Sequence, residues 1–89
     1  MFYQIREYKK DGEIIFPCKL FDKDECSEAT RSFCNAVLST QTKFDYLASD
    51  DSLSQKQLKS IYDSAVYSVE LVSCDDGPIK RVGFWKFGE

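Results

Sequence analysis

Residues 66–87, VYSVELVSCDDGPIKRVGFWKF, decide the fold, because they contain two β-rich runs separated by a turn signal. The turn consists of Asp75, Asp76, Gly77 and Pro78. Asp-Gly between two such runs is a strong β-hairpin signal, since Gly adopts positive φ freely and Asp tolerates it better than most residues. The sequence therefore predicts a C-terminal hairpin centred on Asp76 and Gly77.

The register of this hairpin predicts which side chains face the core. It places Val72 opposite Arg81 and Val69 opposite Phe84, and side chains alternate between faces along each strand. The predicted core face is Val69, Leu71, Val82 and Phe84. The predicted outer face is Ser68, Glu70, Val72, Cys74, Ile79, Arg81, Trp85 and Phe87.

Residues 2–21 contain the same pattern, with Asp11 and Gly12 between two β-rich runs. The predicted pairs include Ile5 with Cys18. Pro17 cannot donate a hydrogen bond to a neighbouring strand, so it indicates an edge strand or a bulge. The predicted core face is Tyr3, Ile5, Ile14, Phe16, Cys18 and Leu20. The predicted outer face is Phe2, Gln4, Arg6, Tyr8, Ile15, Pro17, Lys19 and Phe21.

Two capping boxes predict helices between the hairpins. Asp22 with Glu25 predicts a helix over residues 23–39, and Ser52 with Gln55 predicts a second over residues 53–64. The intervening residues 40–51 are compatible with a further helical turn or with a loop held by its aromatic side chains.

These elements predict one α+β domain over residues 1–89. The order is ββααββ, with a four-stranded antiparallel sheet and two helices packed on one face. Whether the two hairpins form one continuous sheet is left open by the sequence.

Composition argues against catalysis and metal binding. The net charge is −3, histidine is absent, and the four cysteines form no C-x-x-C pair. We therefore expect no enzymatic activity, cofactor or metal. Met1 leads directly into a β-like run, no segment has the length of a membrane span, and the thiols are expected to be buried and reduced in the cytoplasm.

The outer face of the sheet is the predicted partner-binding surface. Aromatic residues and arginine carry much of the binding energy at protein interfaces. Residues 40–51 or a second copy of the chain are the alternative occupants of this face. The predicted contact residues are Phe2, Tyr8, Phe21, Arg81, Trp85 and Phe87.

Acidic residues are concentrated in the middle third of the chain. They are predicted to meet a basic patch on a larger partner, and the alternative is that they cap helices and remain solvated. The acidic contact residues in this prediction are Asp24, Glu28, Asp50 and Asp51.

Two resemblances suggest functions. Residues 81–87, RVGFWKF, resemble the aromatic strand of RNA-recognition domains, which implies binding of single-stranded RNA, although the net acidic charge does not favour nucleic acid. In size, charge and lack of catalytic motifs the chain is similar to phage-encoded inhibitors of host systems, anti-CRISPR proteins among them. The similarity to these inhibitors implies that the chain is a non-catalytic module in the host cytoplasm. Such a module would cover a basic site on a host defence complex or on a complex that handles nucleic acid. A structural or accessory subunit of a larger assembly is the further alternative.

Overall fold

The computed structural model describes residues 1–74 and 77–88, which form one antiparallel sheet and two helices. It confirms the predicted α+β fold and the order ββααββ. The predicted turn residues Asp75 and Asp76 lie outside the described residues, as does Glu89. The elements are β1 Phe2–Tyr8, β2 Ile14–Asp22, α1 Cys26–Ser49, α2 Gln55–Ser64, β3 Ser68–Cys74 and β4 Lys80–Lys86.

The two hairpins form one sheet because β1 pairs with β3 at its centre. The strand order is β2-β1-β3-β4, and all neighbouring strands are antiparallel. Ile5 lies opposite Leu71, so the apolar side chains of both central strands share one face. With Tyr3 and Val69 they are buried and form the sheet side of the core. Strands β2 and β4 are therefore the edges of the sheet.

A β-bulge in β4 changes which side chains face the core. The predicted register is confirmed near the turn, since Val72 lies opposite Arg81. The register then shifts by one residue, so that Leu71 lies opposite Gly83 and Val82 has no partner in β3. One inserted residue turns every following side chain to the other face.

The bulge reverses the predicted positions of the aromatic residues in β4. Trp85 lies opposite Val69 on the helix side of the sheet and packs against the buried core. Phe84 lies opposite Glu70 on the other side and is 39% exposed. The prediction that Val82 and Phe84 belong to the core and that Trp85 faces outward is therefore wrong.

The first hairpin has a similar irregularity around Pro17. Tyr3 lies opposite Phe21, one residue away from its predicted partner Leu20, and the register shifts again beyond Ile5. The prediction that Pro17 marks an edge or bulged strand is confirmed. The observed pairing turns Phe21 towards the core, where it packs against the buried cluster. The predicted core residues of β2 that are exposed instead are Phe16 and Leu20.

Helix α1 starts later and is longer than predicted. It begins at Cys26 and continues through residues 40–49, which are therefore helical. Half of the predicted cap is present, since the carboxylate of Glu25 accepts the N–H of Asp22 at 2.9 Å. Asp22 still belongs to β2, and the helix starts only after Glu25.

Helix α2 is capped two residues later than predicted. The hydroxyl of Ser54 accepts the N–H of Gln57 at 3.2 Å, and the Gln57 side chain accepts the N–H of Ser54 at 2.9 Å. Ser52 is not the cap because it donates its N–H and its hydroxyl to the carboxylate of Asp50. The sequence contains two overlapping Ser-x-x-Gln patterns, and the second one forms the capping box.

The core consists of two clusters distributed along α1. Ala29 packs against the sheet, whereas Phe44 and Leu47 pack with α2 and the C-terminal aromatic residues. A helix of 24 residues is about 36 Å long, and a strand of 7 residues spans about 23 Å, so α1 extends beyond the sheet. Helix α2 covers the extension, and the molecule is elongated, measuring 48 × 22 × 22 Å.

All four cysteines are free thiols. Cys74 is buried and Cys18 is half-buried, but Cys26 and Cys34 are exposed. The prediction of buried thiols is therefore wrong for the two cysteines on α1.

Candidate binding surface

The open face of the sheet is the face opposite the helices. Helix α1 packs on the other face of β1, β2 and β3, and both core clusters lie on that side. A solvated antiparallel face is normally polar, but this one exposes large apolar groups. The side chains that the strand pairing places on the open face are Phe2, Gln4, Arg6, Tyr8, Ile14, Leu20, Asp22, Ser68, Glu70, Val72, Cys74, Arg81, Phe84 and Lys86.

A buried carboxylate lies near the centre of the open face. Glu70 is only 7% exposed, and its two oxygens have separate partners. The Tyr8 hydroxyl donates to one oxygen at 2.9 Å, and Nε of Arg81 contacts the other at 2.6 Å. Burial raises the pKa of Tyr8 above the ordinary tyrosine value, and the neighbouring Glu70 carboxylate raises it further. The network joins three strands and fixes its members in place.

Arg81 is held in position and remains accessible. Its side chain is 58% exposed, and its guanidinium carbon lies 4.2 Å from the centre of the Phe84 ring, a cation–π contact. Within residues 1–74 and 77–88, its hydrogen bonding involves Nε alone. The two terminal nitrogens are therefore available to an anionic ligand, because an arginine has five N–H donors.

Basic side chains surround a shallow cavity at one end of the open face. The cavity has a volume of about 340 Å³, and its basic lining residues are Lys9, Lys10, Arg81 and Lys86. Within residues 1–74 and 77–88 no acidic residue lines it, and Tyr8, Phe84 and Tyr67 are its aromatic lining residues. We call this cavity the basic site. Arg81 is ion-paired with Glu70, and the three lysines add to it, so the basic site is locally richer in positive charge than the chain as a whole, whose net charge is −3.

The structure places three of the six predicted open-face contact residues on that face. Phe2, Tyr8 and Arg81 lie there as predicted. The predicted placement of Phe21, Trp85 and Phe87 on the open face is wrong, because all three pack on the core side. The Phe87 ring lies 4.3 Å from the ring of Phe44 in the second cluster. The two strand irregularities account for the errors at Phe21 and Trp85.

The predicted acidic contact residues fall into two separate groups. Asp24 and Glu28 lie at the start of α1, whereas Asp50 and Asp51 follow its end, about 36 Å away. Asp50 accepts the N–H of Ser52 at 2.9 Å, and the hydrogen bonds from Ser52 lower the pKa of its carboxyl group. The four carboxylates do not form one continuous patch.

Sequence reasoning missed Phe84 and the lysines of the basic site. The signal that would have found Phe84 is Gly83, because an isolated glycine within a strand often marks a bulge or a close approach. A Cβ atom at Gly83 would lie only 3.2 Å from the Phe33 ring, so glycine lets α1 pack closely against β4. Lys9 and Lys10 are distant in sequence from Lys86, and they meet it only because β1 lies beside β3, which pairs with β4.

Comparisons with known proteins add no family assignment. No protein-family model matches the chain. No curated protein and no solved structure matches it either. Among the described residues, no three potential metal ligands are grouped closely enough to hold an ion, and no helix has the length and apolar character needed to cross a membrane.

Proposed function

We propose that this chain is a non-catalytic protein-binding module that docks an acidic surface of a larger partner protein against the open face of its sheet. The observation that supports this proposal is the basic site. Four basic and three aromatic residues line it, and no acidic residue among the described ones does. Charge complementarity of this kind steers association and selects partners.

The composition of the open face supports a protein partner. Phe2, Leu20 and Phe84 are exposed, and Arg81 lies beside Phe84. Aromatic residues and arginine are enriched among interface residues that dominate binding energy. The bond to Glu70 orders Arg81 before binding, so less side-chain entropy is lost when a partner carboxylate engages it.

A contact made through the acidic residues has less support. Asp24 and Glu28 are separated from Asp50 and Asp51 by the length of α1, so one compact basic patch cannot meet all four. Inhibition of a host system stays a prediction based on the type of protein, and the identity of the partner will decide it.

Single-stranded RNA is the second candidate ligand, and the basic site also favours it. Phe84 and the surrounding cations offer a ring for base stacking and positive charge for phosphates. We rank RNA second because the net charge of the chain is −3, which does not favour nucleic acid. The motif residue Trp85, on which the RNA resemblance depended, packs in the core instead.

Affinity capture followed by titration tests the proposal. The immobilised chain captures its partner from the source cells, with and without nuclease treatment, and the purified partner is then titrated against variants. Lys10→Glu reverses a charge in the basic site, and Lys56→Glu on α2 is the matched control, since both lysines are exposed. We expect Lys10→Glu to weaken binding about tenfold or more and Lys56→Glu to leave it unchanged.

Two outcomes would contradict the proposal. If Lys10→Glu and Lys56→Glu bind the partner equally, the basic site is not part of the interface. If nuclease removes the captured partner and short single-stranded RNA binds the purified chain, RNA replaces protein as the ligand. In that case Phe84→Ala, rather than Trp85→Ala, should weaken RNA binding by about 1–3 kcal/mol.

A further inference from the structure

The outward face of α1 is a second exposed surface, on the side of the molecule away from the open face. The inward side of the helix carries the buried residues Ala29 and Phe44. With 3.6 residues per turn, the face turned away from them carries Arg31, Leu38 and Asp45, and all three are exposed. Leu38 is 62% exposed although it is large and apolar. The helix therefore presents an apolar side chain to water with a charge on either side of it.

The two charges lie at equal distances from Leu38. Arg31 precedes it by seven residues and Asp45 follows it by seven. Seven residues are two helical turns to within about 20°, so the three side chains form one row with about 10.5 Å between neighbours. Among the described residues, neither Arg31 nor Asp45 has a salt-bridge partner within the chain. Both charges are therefore available to a second molecule.

This row is complementary to itself when a second copy of α1 runs antiparallel to it. A two-fold axis at Leu38 places Arg31 of each copy opposite Asp45 of the other, because residues equally far before and after Leu38 then lie at the same level. The same axis brings Asn35 level with Gln41, whose amides can both donate and accept hydrogen bonds. An isologous interface requires self-complementarity of this kind. A uniformly acidic or basic partner would meet only one of the two charges favourably.

An apolar groove beside Leu38 adds surface that a second copy would cover. The groove lies between α1 and β4 and has a volume of about 460 Å³. Phe33, Val37 and Leu38 line it from α1, and Trp85 lines it from β4. Because the two-fold axis is perpendicular to the paired helices, the grooves of the two copies lie on the same side of the pair. Removing this apolar surface from water favours association.

We infer that the chain forms a two-fold symmetric dimer through antiparallel contact of its α1 helices, centred on Leu38. Exposed ion pairs contribute little to affinity, so the pairs between Arg31 and Asp45 fix the orientation and the apolar surface supplies most of the binding free energy. A parallel arrangement is disfavoured because it would place Arg31 beside Arg31 of the second copy. The open face lies on the other side of each sheet, so both open faces stay accessible to a partner.

Charge reversal tests the predicted contact. The oligomeric state is measured by sedimentation equilibrium with a reducing agent, so that the exposed thiols of Cys26 and Cys34 cannot cross-link two copies. Arg31→Glu and Asp45→Arg each make both contacts of the symmetric dimer repulsive. We expect either variant to raise the dimer dissociation constant at least about tenfold. Lys56→Glu, at an exposed position of α2, is the matched control and should leave it unchanged.

A mixture of the two variants tests the pairing itself. The chain that carries Arg31→Glu presents two acidic groups, and the chain that carries Asp45→Arg presents two basic groups, so both contacts of the mixed dimer are attractive. We expect the mixture to dimerise at least about tenfold more tightly than either variant alone. Misfolding of a variant cannot produce this recovery.

A second matched pair tests the apolar centre of the interface. Leu38→Ala removes the side chain on the two-fold axis. Leu20→Ala makes the same substitution in β2, where the leucine is 64% exposed on the open face. We expect Leu38→Ala to weaken the dimer about tenfold and Leu20→Ala to leave it unchanged.

A chain that stays monomeric at about 0.5 mM would overturn the inference. So would a dimer that Arg31→Glu leaves intact, a mixture that associates no more tightly than its components, or equal effects of Leu38→Ala and Leu20→Ala. The proposed function concerns the open face, and Lys10→Glu tests it separately.

Discussion

Replacing Trp85 and Phe84 separately by alanine measures which of the two side chains belongs to the core. Trp85 packs against both core clusters, so alanine would leave a cavity at the junction between the sheet and the helices. Phe84 lies on the open face at the edge of the sheet and is 39% exposed, so alanine removes fewer buried contacts there than at Trp85. We expect Trp85→Ala to be much the more destabilising change.

The magnitudes follow from burial. Deleting a buried aromatic side chain costs about 3–5 kcal/mol, and Trp85 is half-buried, so about 3 kcal/mol is expected. Phe84 keeps 39% of its surface exposed and has a contact with Arg81, so about 1 kcal/mol is expected. A domain of this size has a total stability of about 5–13 kcal/mol. Trp85→Ala therefore removes a substantial part of it.

Urea unfolding of the two variants, followed by circular dichroism, provides the assay. The midpoint should fall about three times further for Trp85→Ala than for Phe84→Ala, with similar slopes. If Phe84→Ala lowers the stability as much as Trp85→Ala, or more, the bulge in β4 is absent and the uninterrupted register applies. The open face would then carry Trp85 instead of Phe84.

Three further predictions concern individual contacts. Gly83→Ala should lower the free energy of unfolding by about 1–2 kcal/mol, because the new Cβ meets the Phe33 ring at 3.2 Å; an unchanged thermal midpoint would show that the ring moves away. Tyr8→Phe should cost about 1–2 kcal/mol through the lost hydrogen bond to the buried carboxylate. The folded-state pKa of Tyr8 is raised, so this stabilisation is complete below the ordinary tyrosine pKa of about 10 and is lost as the pH rises through the folded-state value. A spectroscopic titration of tyrosine ionisation in Tyr8→Phe should therefore lack the tyrosine that ionises above the ordinary range in the parent chain. Ser54→Ala should lower the free energy of unfolding by about 1 kcal/mol and Ser52→Ala by only a few tenths, because Ser54 caps α2. Equal effects of the two substitutions in thermal melts would contradict the observed cap.

The sequence predicts element types well because they depend on local chemistry. Asp11 and Gly12 lie between two β-rich runs, and the capping patterns locate the starts of the two helices to within about three residues. The sequence does not decide whether residues 40–49 continue α1 or form a loop, and the structure shows that they are helical. Phe44 and Leu47 are buried there by α2, a long-range contact with no local signal.

The sequence predicts the open face less well because a face depends on register. A single unpaired residue, Val82, exchanges Phe84 and Trp85 between the core and the open face. The alternation of apolar residues fits both registers, since aromatic side chains occupy both positions. Gly83 indicates a bulge but does not show which neighbouring residue is unpaired. The basic site also required knowledge of strand order, because Lys10 and Lys86 come from opposite ends of the chain.

Hydroxyl-radical footprinting of the free chain and of its complex with the captured partner tests the central claim most directly. Oxidation of Phe2 and Phe84 should fall on binding, because both are exposed on the open face of the free chain. Oxidation of Tyr46 on α1 should stay unchanged. Protection of Tyr46 with continued oxidation of Phe2 and Phe84 would place the interface on the helices and contradict the claim that the open face binds the partner.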